Sequence, residues 1–196
     1  MARDTGRPLR ADAQRNREKI LAAAVRVFTA EGLDVHYERV AKEAGVGIGT
    51  LYRNFPTRES LIEAAYRNEV ARLCDVAPHL LATMPPHEAL RAWMGHFIDY
   101  AAAKLGMADA LRAAVASGAD PYGQSREMIQ STLSTLMEAG VSAGTLRSDI
   151  SPDDMFAALA GIALTSAKPD SRDQAERLLD LTLDGLRAGP HKLHDD

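Results

Sequence analysis

Thr50, Tyr52, Arg53 and Asn54 crowd two hydroxyls, a guanidinium and a carboxamide into a few consecutive positions. Side chains of these kinds bond phosphate oxygens and the edges of nucleic-acid bases. Thr50 and Tyr52 can donate to a phosphate, and Arg53 can pair with a guanine edge or a phosphate. Ile48, just upstream, can touch a thymine methyl. Gly47 and Gly49 have no side chain to hold a polyanion away. Arg39 and His36 precede this set and Arg58 follows it, each a further candidate for a phosphate or base.

Such residues work only if an element holds them out together. The run Val40-Ala41-Lys42-Glu43-Ala44-Gly45-Val46 reads as a short helix and a stop, with Val40, Ala41 and Ala44 inward and Arg39 and Lys42 outward. Gly45 suits the turn, because a positive φ is cheap only without a Cβ. A second short helix, about 48–54, would bury Leu51 and end at Phe55. Two helices about such a turn form a helix-turn-helix, which places its second helix in a DNA groove. The spacing Gly45-x-Gly47-x-Gly49 is not a dinucleotide-binding loop, which must follow a strand.

The remaining chain reads as helices too. A first helix is expected over 12–31, where Ile20, Leu21, Ala24, Val27 and Phe28 repeat on one face and Gly32 follows as a stop. Before it, Arg3, Arg7 and Arg10 suggest a flexible basic arm. Thr57 is the expected cap of a long helix that Pro78 and the pair Pro85-Pro86 bring to an end. Further helices are expected over about 86–104, 108–117, 121–143, 151–167 and 171–186. Asp120-Pro121 and Ser151-Pro152-Asp153-Asp154 read as caps for two of them. No strand and no internal repeat is evident. The fold class is all-α, about nine helices: an N-terminal three-helix helix-turn-helix domain (1–56 with its arm), a C-terminal helical bundle (57–188) and a polar tail (189–196).

Charge is divided along the chain. Residues 1–60 hold eleven Lys or Arg and eight Asp or Glu, a net +3, while the rest hold twelve and nineteen, a net −7. A basic front suits a polyanion partner. The one cysteine, Cys74, has no internal partner and fits a reducing compartment. The longest near-continuous apolar run, 155–164, falls short of the roughly 20 residues a membrane span needs. The expected location is cytoplasmic, with no membrane partner. No histidine pair has metal-site spacing, and no serine or cysteine has the setting of a nucleophile. The sequence therefore predicts no enzyme, metal or cofactor.

Taken together, residues 16–61 resemble the DNA-binding domain of TetR-type bacterial transcriptional regulators. The matching residues are Ile20-Leu21-Ala22-Ala23-Ala24, Phe28, Gly32, Val40-Ala41, Ala44-Gly45-Val46, Gly49-Thr50-Leu51-Tyr52, Phe55 and Arg58-Glu59-x-Leu61. Gly47 stands where such proteins commonly have a polar residue, Arg58 where lysine is usual, and His36 where serine or threonine often caps the helix. The resemblance implies a homodimer whose variable C-terminal helices often bind a small effector.

Two groups of residues bear on that implication. Trp93, His96, Phe97, Tyr100, Met107, Leu111, Met128, Ile129 and Leu133 are either ordinary core or the walls of an apolar effector cavity between bundle helices. Ala157, Ala160, Gly161 and Leu164, with Leu179, Leu183 and Leu186, are either intrachain core or a subunit interface built from the last two helices. The reading is a dimeric repressor of a near-palindromic double-stranded DNA operator, relieved by a small, largely apolar effector. The competing reading is a helical ligand-binding or protein-interaction module without sequence-specific DNA binding.

Overall fold

The computed structural model describes residues 6–32, 35–166 and 171–187, and among them every regular element is a helix. The helices are α1 (Gly6–Glu31), α2 (Tyr37–Ala44), α3 (Ile48–Asn54), α4 (Arg58–Thr83), α5 (Pro86–Gly106), α6 (Ala108–Ala116), α7 (Ser125–Ser142), α8 (Pro152–Thr165) and α9 (Arg172–Arg187). They form two compact units, residues 1–68 with 103–121, and 69–102 with 122–196. Helices α4 and α5 each contribute residues to both.

In the first unit, the expected stripe of α1 is buried: Ile20, Leu21, Ala24, Val27 and Phe28 are all at most 5% exposed. Val40, Ala41, Leu51, Phe55, Leu61 and Ile62 of the same unit are equally hidden. The guanidinium of Arg17 covers the Phe55 ring at 4.6 Å. Gly106 brings the end of α5 so close to α1 that a Cβ there would collide with the Thr29 side chain.

The turn after α2 is built as its sequence requires. Gly45 has φ 66°, in the left-handed region. Its N–H reaches the Lys42 carbonyl at 3.2 Å and the Val46 N–H reaches that of Ala41 at 3.0 Å, the paired bonds of a Schellman cap. A Cβ on Gly45 would meet nothing within 4 Å, so the cost of substitution is purely backbone. Gly45→Ala should therefore destabilise the protein by about 1–2 kcal/mol. Thermal unfolding would register this as a fall of about 2–8 °C.

The second unit is organised around Trp93, which is wholly buried and donates its indole N–H to the Leu73 carbonyl at 2.8 Å. The rings of Trp93 and Phe97 lie 5.9 Å apart, and Phe156 of α8 meets Phe97 edge-on at 5.9 Å. Helix α9 is tied to α5 by Arg91, which bonds Glu176 at 2.8 Å and Asp180 at 2.6 Å. Arg172 of α9 pairs with Asp99 of α5.

Three element boundaries depart from expectation. Helix α1 begins at Gly6 rather than Asp12, so the backbone expected to be a flexible arm is helical from there. Arg3 and the side chains of Arg7 and Arg10 lie outside the described residues. Helix α4 runs through Pro78 to Thr83. Pro78 is exposed, and the buried stripe Val70, Leu73, Ala77 and Leu80 continues past it. Packing on both sides of the proline outweighs the loss of one intrahelical bond, a cost of about 3 kcal/mol. Helix α7 starts at Ser125, not Pro121, because Gly123 intervenes and the Ser125 N–H closes a turn on the Tyr122 carbonyl.

The cap of α8 forms as its sequence suggests. The Ser151 hydroxyl accepts from the Asp154 N–H at 3.1 Å, and Asp154 accepts from the Ser151 N–H at 3.3 Å. The expected last residue of that helix, Ala167, and the polar tail from Gly189 lie outside the described residues.

Candidate nucleic-acid interface

Helix α3 is short, and one side chain anchors it: Leu51 is fully buried. Phe55, just past its end, is 2% exposed. With those two fixed inward, helical geometry turns the rest of α3 outward. Ile48 is 37% and Tyr52 49% exposed, large values for apolar surface left in water. Gly47, Gly49 and Arg53 are exposed as well, and Thr50 is half-buried. A Cβ on Gly47 or Gly49 would meet nothing within 4 Å, so this face is open right down to its backbone.

The candidate cations are differently placed. Arg53 folds back on its own helix, donating to the Gly49 carbonyl and to the Thr50 hydroxyl, both at 3.1 Å. These are exposed bonds that a phosphate or base can replace. Arg39 is held between Glu31 at 2.9 Å and Glu43 at 3.0 Å. Its bond to Glu43 and the charge of Glu31 keep the guanidinium more firmly protonated than usual. Glu43 is in turn held below the ordinary carboxylate range by Arg39, and by Arg26 of α1. Arg39 thus joins α2 to α1.

Arg58 is also engaged inside the unit. It donates to the Val35 carbonyl and lies 6.0 Å from the centre of the Phe28 ring. The Asn54 amide donates to the Thr50 carbonyl at 2.8 Å. His36 is the N-cap of α2, exposed and without a side-chain capping bond. The sequence-derived set therefore divides: His36, Gly47, Ile48, Thr50, Tyr52 and Arg53 present open surface, while Arg39, Asn54 and Arg58 are bonded within the protein.

Tyr37 was not anticipated from sequence. It opens α2, is 8% exposed, and sets its ring 5.0 Å from that of Tyr52. Its hydroxyl is buried with no hydrogen-bond partner among the described residues. Burial, and next the charge of Glu59, push its phenol up to about 12. No sequence signal marks the pair, because only the three-dimensional turn brings positions 37 and 52 together.

In the second unit, Trp93, Phe97, Tyr100, Ile129 and Leu133 are buried. Met107 and Leu111 are also buried, but they belong to the first unit. His96 and Met128 are exposed. A cleft of about 460 Å³ lies between α4 and α5, lined by Glu69, Arg72, Leu73, Asp75, Val76, His96, Asp99 and Tyr100. Another, of about 400 Å³, includes Met137, Val141 and Ile150. Of the nine residues read as effector-cavity candidates, only His96 and Tyr100 line either cleft.

The apolar residues of the last two helices are divided between core and surface. Leu179, Leu183 and Leu186 are at most 7% exposed within the single chain, so they face its own core. The outward apolar residue of α9 is Leu181, 68% exposed. On α8, Leu164 is 68% exposed and shares a face with exposed Ala157 and Gly161 and half-buried Ala160. Among the described residues no cluster of three metal-ligating side chains occurs, and no helix is long and apolar enough to cross a membrane.

Comparison with known proteins bears on both units. A family model for bacterial regulatory proteins of the tetR family matches residues 20–65. A second, for the C-terminal domain of SbtR-like transcriptional regulators, matches residues 85–188. HTH-type transcriptional regulators from Staphylococcus aureus strains are 43% identical over 54 residues, which is 27% of this chain and 29% of theirs. That match spans less than a third of those relatives' length. A solved TetR transcriptional regulator from Streptomyces coelicolor is 76% identical, with a TM-score of 0.85, covering 87% of this chain and 98% of that one. The TetR transcription regulatory protein from Mycobacterium vanbaalenii is 38% identical, with a TM-score of 0.76, covering 92% and 100%.

Proposed function

Since this chain belongs to the TetR family of bacterial DNA-binding transcriptional regulators, we propose that it is a homodimeric repressor of a near-palindromic operator. The observation that carries this reading is the open face of α3. Ile48, Gly49, Tyr52 and Arg53 stand out from a helix pinned by Leu51 and Phe55. Two-fold symmetry would set two such helices about 34–36 Å apart or a multiple of that, one per half-site.

Each open group has a role suited to its chemistry. Tyr52 and Thr50 donate to phosphates, and the bare backbone at Gly47 and Gly49 admits the duplex closely. Arg53 leaves its two exposed bonds on α3 for a base edge. Lys42, exposed on α2, adds a phosphate contact. Binding then includes release of counterions, so affinity falls steeply as salt rises.

Relief of repression is assigned to a small effector in the second unit, with the cleft at His96 and Tyr100 as its seat. The effector acts only through the difference between its affinities for the two conformations. Helix α4 is one covalent path between the units, being continuous from Arg58 to Thr83. Arg58 grips the carbonyl before α2, so movement of α4 is felt at the helix-turn-helix.

The test is a gel shift with the duplex flanking its own gene. A specific, salt-sensitive shift supports the reading; no shift on any duplex favours a helical ligand-binding or protein-interaction module. Tyr52→Phe should weaken all duplexes alike. Arg53→Ala should relax the preference at one base position by about tenfold, measured by binding-site selection. An unchanged preference would reject base reading by Arg53.

A further inference from the structure

We propose that Tyr37 is a positioning residue for DNA binding, whose buried ring holds the half-exposed Tyr52 ring in the direction from which it meets a phosphate. This deepens the DNA-binding reading and rests on it.

Tyr52 sits on a seven-residue helix whose only buried side chain is Leu51. An aromatic half in water needs a neighbour to fix its rotamer, and ordering it during binding would cost affinity. The neighbour is Tyr37, at 5.0 Å between centroids with the planes inclined by 46°. A tilted aromatic pair at that distance is worth about twofold to tenfold in an equilibrium.

Tyr37 is itself tightly located. It is 92% hidden as the first residue of α2, just after Val35, whose carbonyl is gripped by Arg58. The support under Tyr52 is therefore anchored to both α2 and the start of α4. A purely structural aromatic at this place would be better as phenylalanine, because the Tyr37 hydroxyl is buried with no partner among the described residues. The hydroxyl is thus separable from the ring: one lowers stability, the other orients Tyr52.

The full-length protein allows the two to be tested apart. Tyr37→Phe keeps the ring and removes the orphaned hydroxyl. It should raise the melting temperature of the DNA-free protein by about 2–4 °C and bind the duplex flanking its gene within twofold of the parent. Tyr37→Leu fills much of the volume but removes the ring, and should bind that duplex about fivefold more weakly. Tyr52→Ala should lose about tenfold, and Tyr37→Leu combined with Tyr52→Ala should lose no more than Tyr52→Ala alone.

Multiplying effects in the double variant, or parental affinity for Tyr37→Leu, would overturn the proposal. So would equal losses from Tyr37→Phe and Tyr37→Leu, which would put the effect on the hydroxyl. If the parent shifts no duplex, the DNA reading fails by itself. The positioning is then decided by Tyr52 ring resonances in the free protein. These should move toward solvent-exposed values in Tyr37→Leu and stay put in Tyr37→Phe; no movement in either rejects it.

Discussion

Leu181→Glu is expected to leave the chain folded but to make it monomeric, with operator binding weaker by about 10²- to 10⁴-fold. The side chain is 68% exposed, so a charge there removes almost no intrachain packing. Leu164 on the neighbouring helix is equally exposed, beside a stripe of alanine and glycine that lets another helix approach closely. Under the proposed dimer these two leucines are the candidates for the surface that a second copy covers. With a second copy as that partner, the introduced carboxylate faces an apolar surface across the symmetry axis. Desolvating it there is far more costly than burying leucine. Separated subunits must then hold each half-site alone, and the intramolecular advantage of the second contact disappears. Light scattering at micromolar concentration and a gel shift read the two consequences. A dimer with parental affinity would put the interface elsewhere. Leu179→Glu is the contrasting control: it places a charge in the chain's own core and should prevent folding.

Helix α9 also shows where sequence reading stops. Its leucines at 178, 179, 181, 183 and 186 cover more than one side of the helix. Periodicity alone does not say which surrounding is intrachain. The structure assigns Ala175, Leu179, Leu183 and Leu186 inward, which leaves Leu181 outside.

Arg39 is a similar case. Its i,i+4 partner Glu43 is visible in the sequence, but Glu31 lies across a turn and becomes a neighbour only when α1 and α2 pack. By contrast, Gly45 and the Ser151–Asp154 cap were legible because the interactions are local: a positive φ and a box closed within four residues. Pro78 misled for the same reason inverted. Its local cost is real, yet the apolar stripe running past it is a longer-range term and prevails.

Trp93→Ala is expected to cost about 3–5 kcal/mol, the range for deleting a buried aromatic, and this outcome bears directly on where an effector binds. Trp93 is 0% exposed and its indole N–H satisfies the Leu73 carbonyl at 2.8 Å. Truncation removes the ring's contacts with Phe97, opens a void between α4 and α5, and takes away a donor from a buried carbonyl. A side chain lining a preformed cavity would behave otherwise, because one of its faces has no packing to lose. Chemical denaturation can distinguish them: a loss near 1 kcal/mol or less would return Trp93 to a cavity wall. Trp93→Phe separates the two parts of the effect, keeping most of the packing while leaving the carbonyl unpaired, at about 1–3 kcal/mol. If Trp93→Ala is as costly as expected, no effector is seated against the indole. The cleft proposed as its seat is lined by His96, Tyr100, Asp75 and Asp99, so a ligand there must satisfy charged as well as apolar walls.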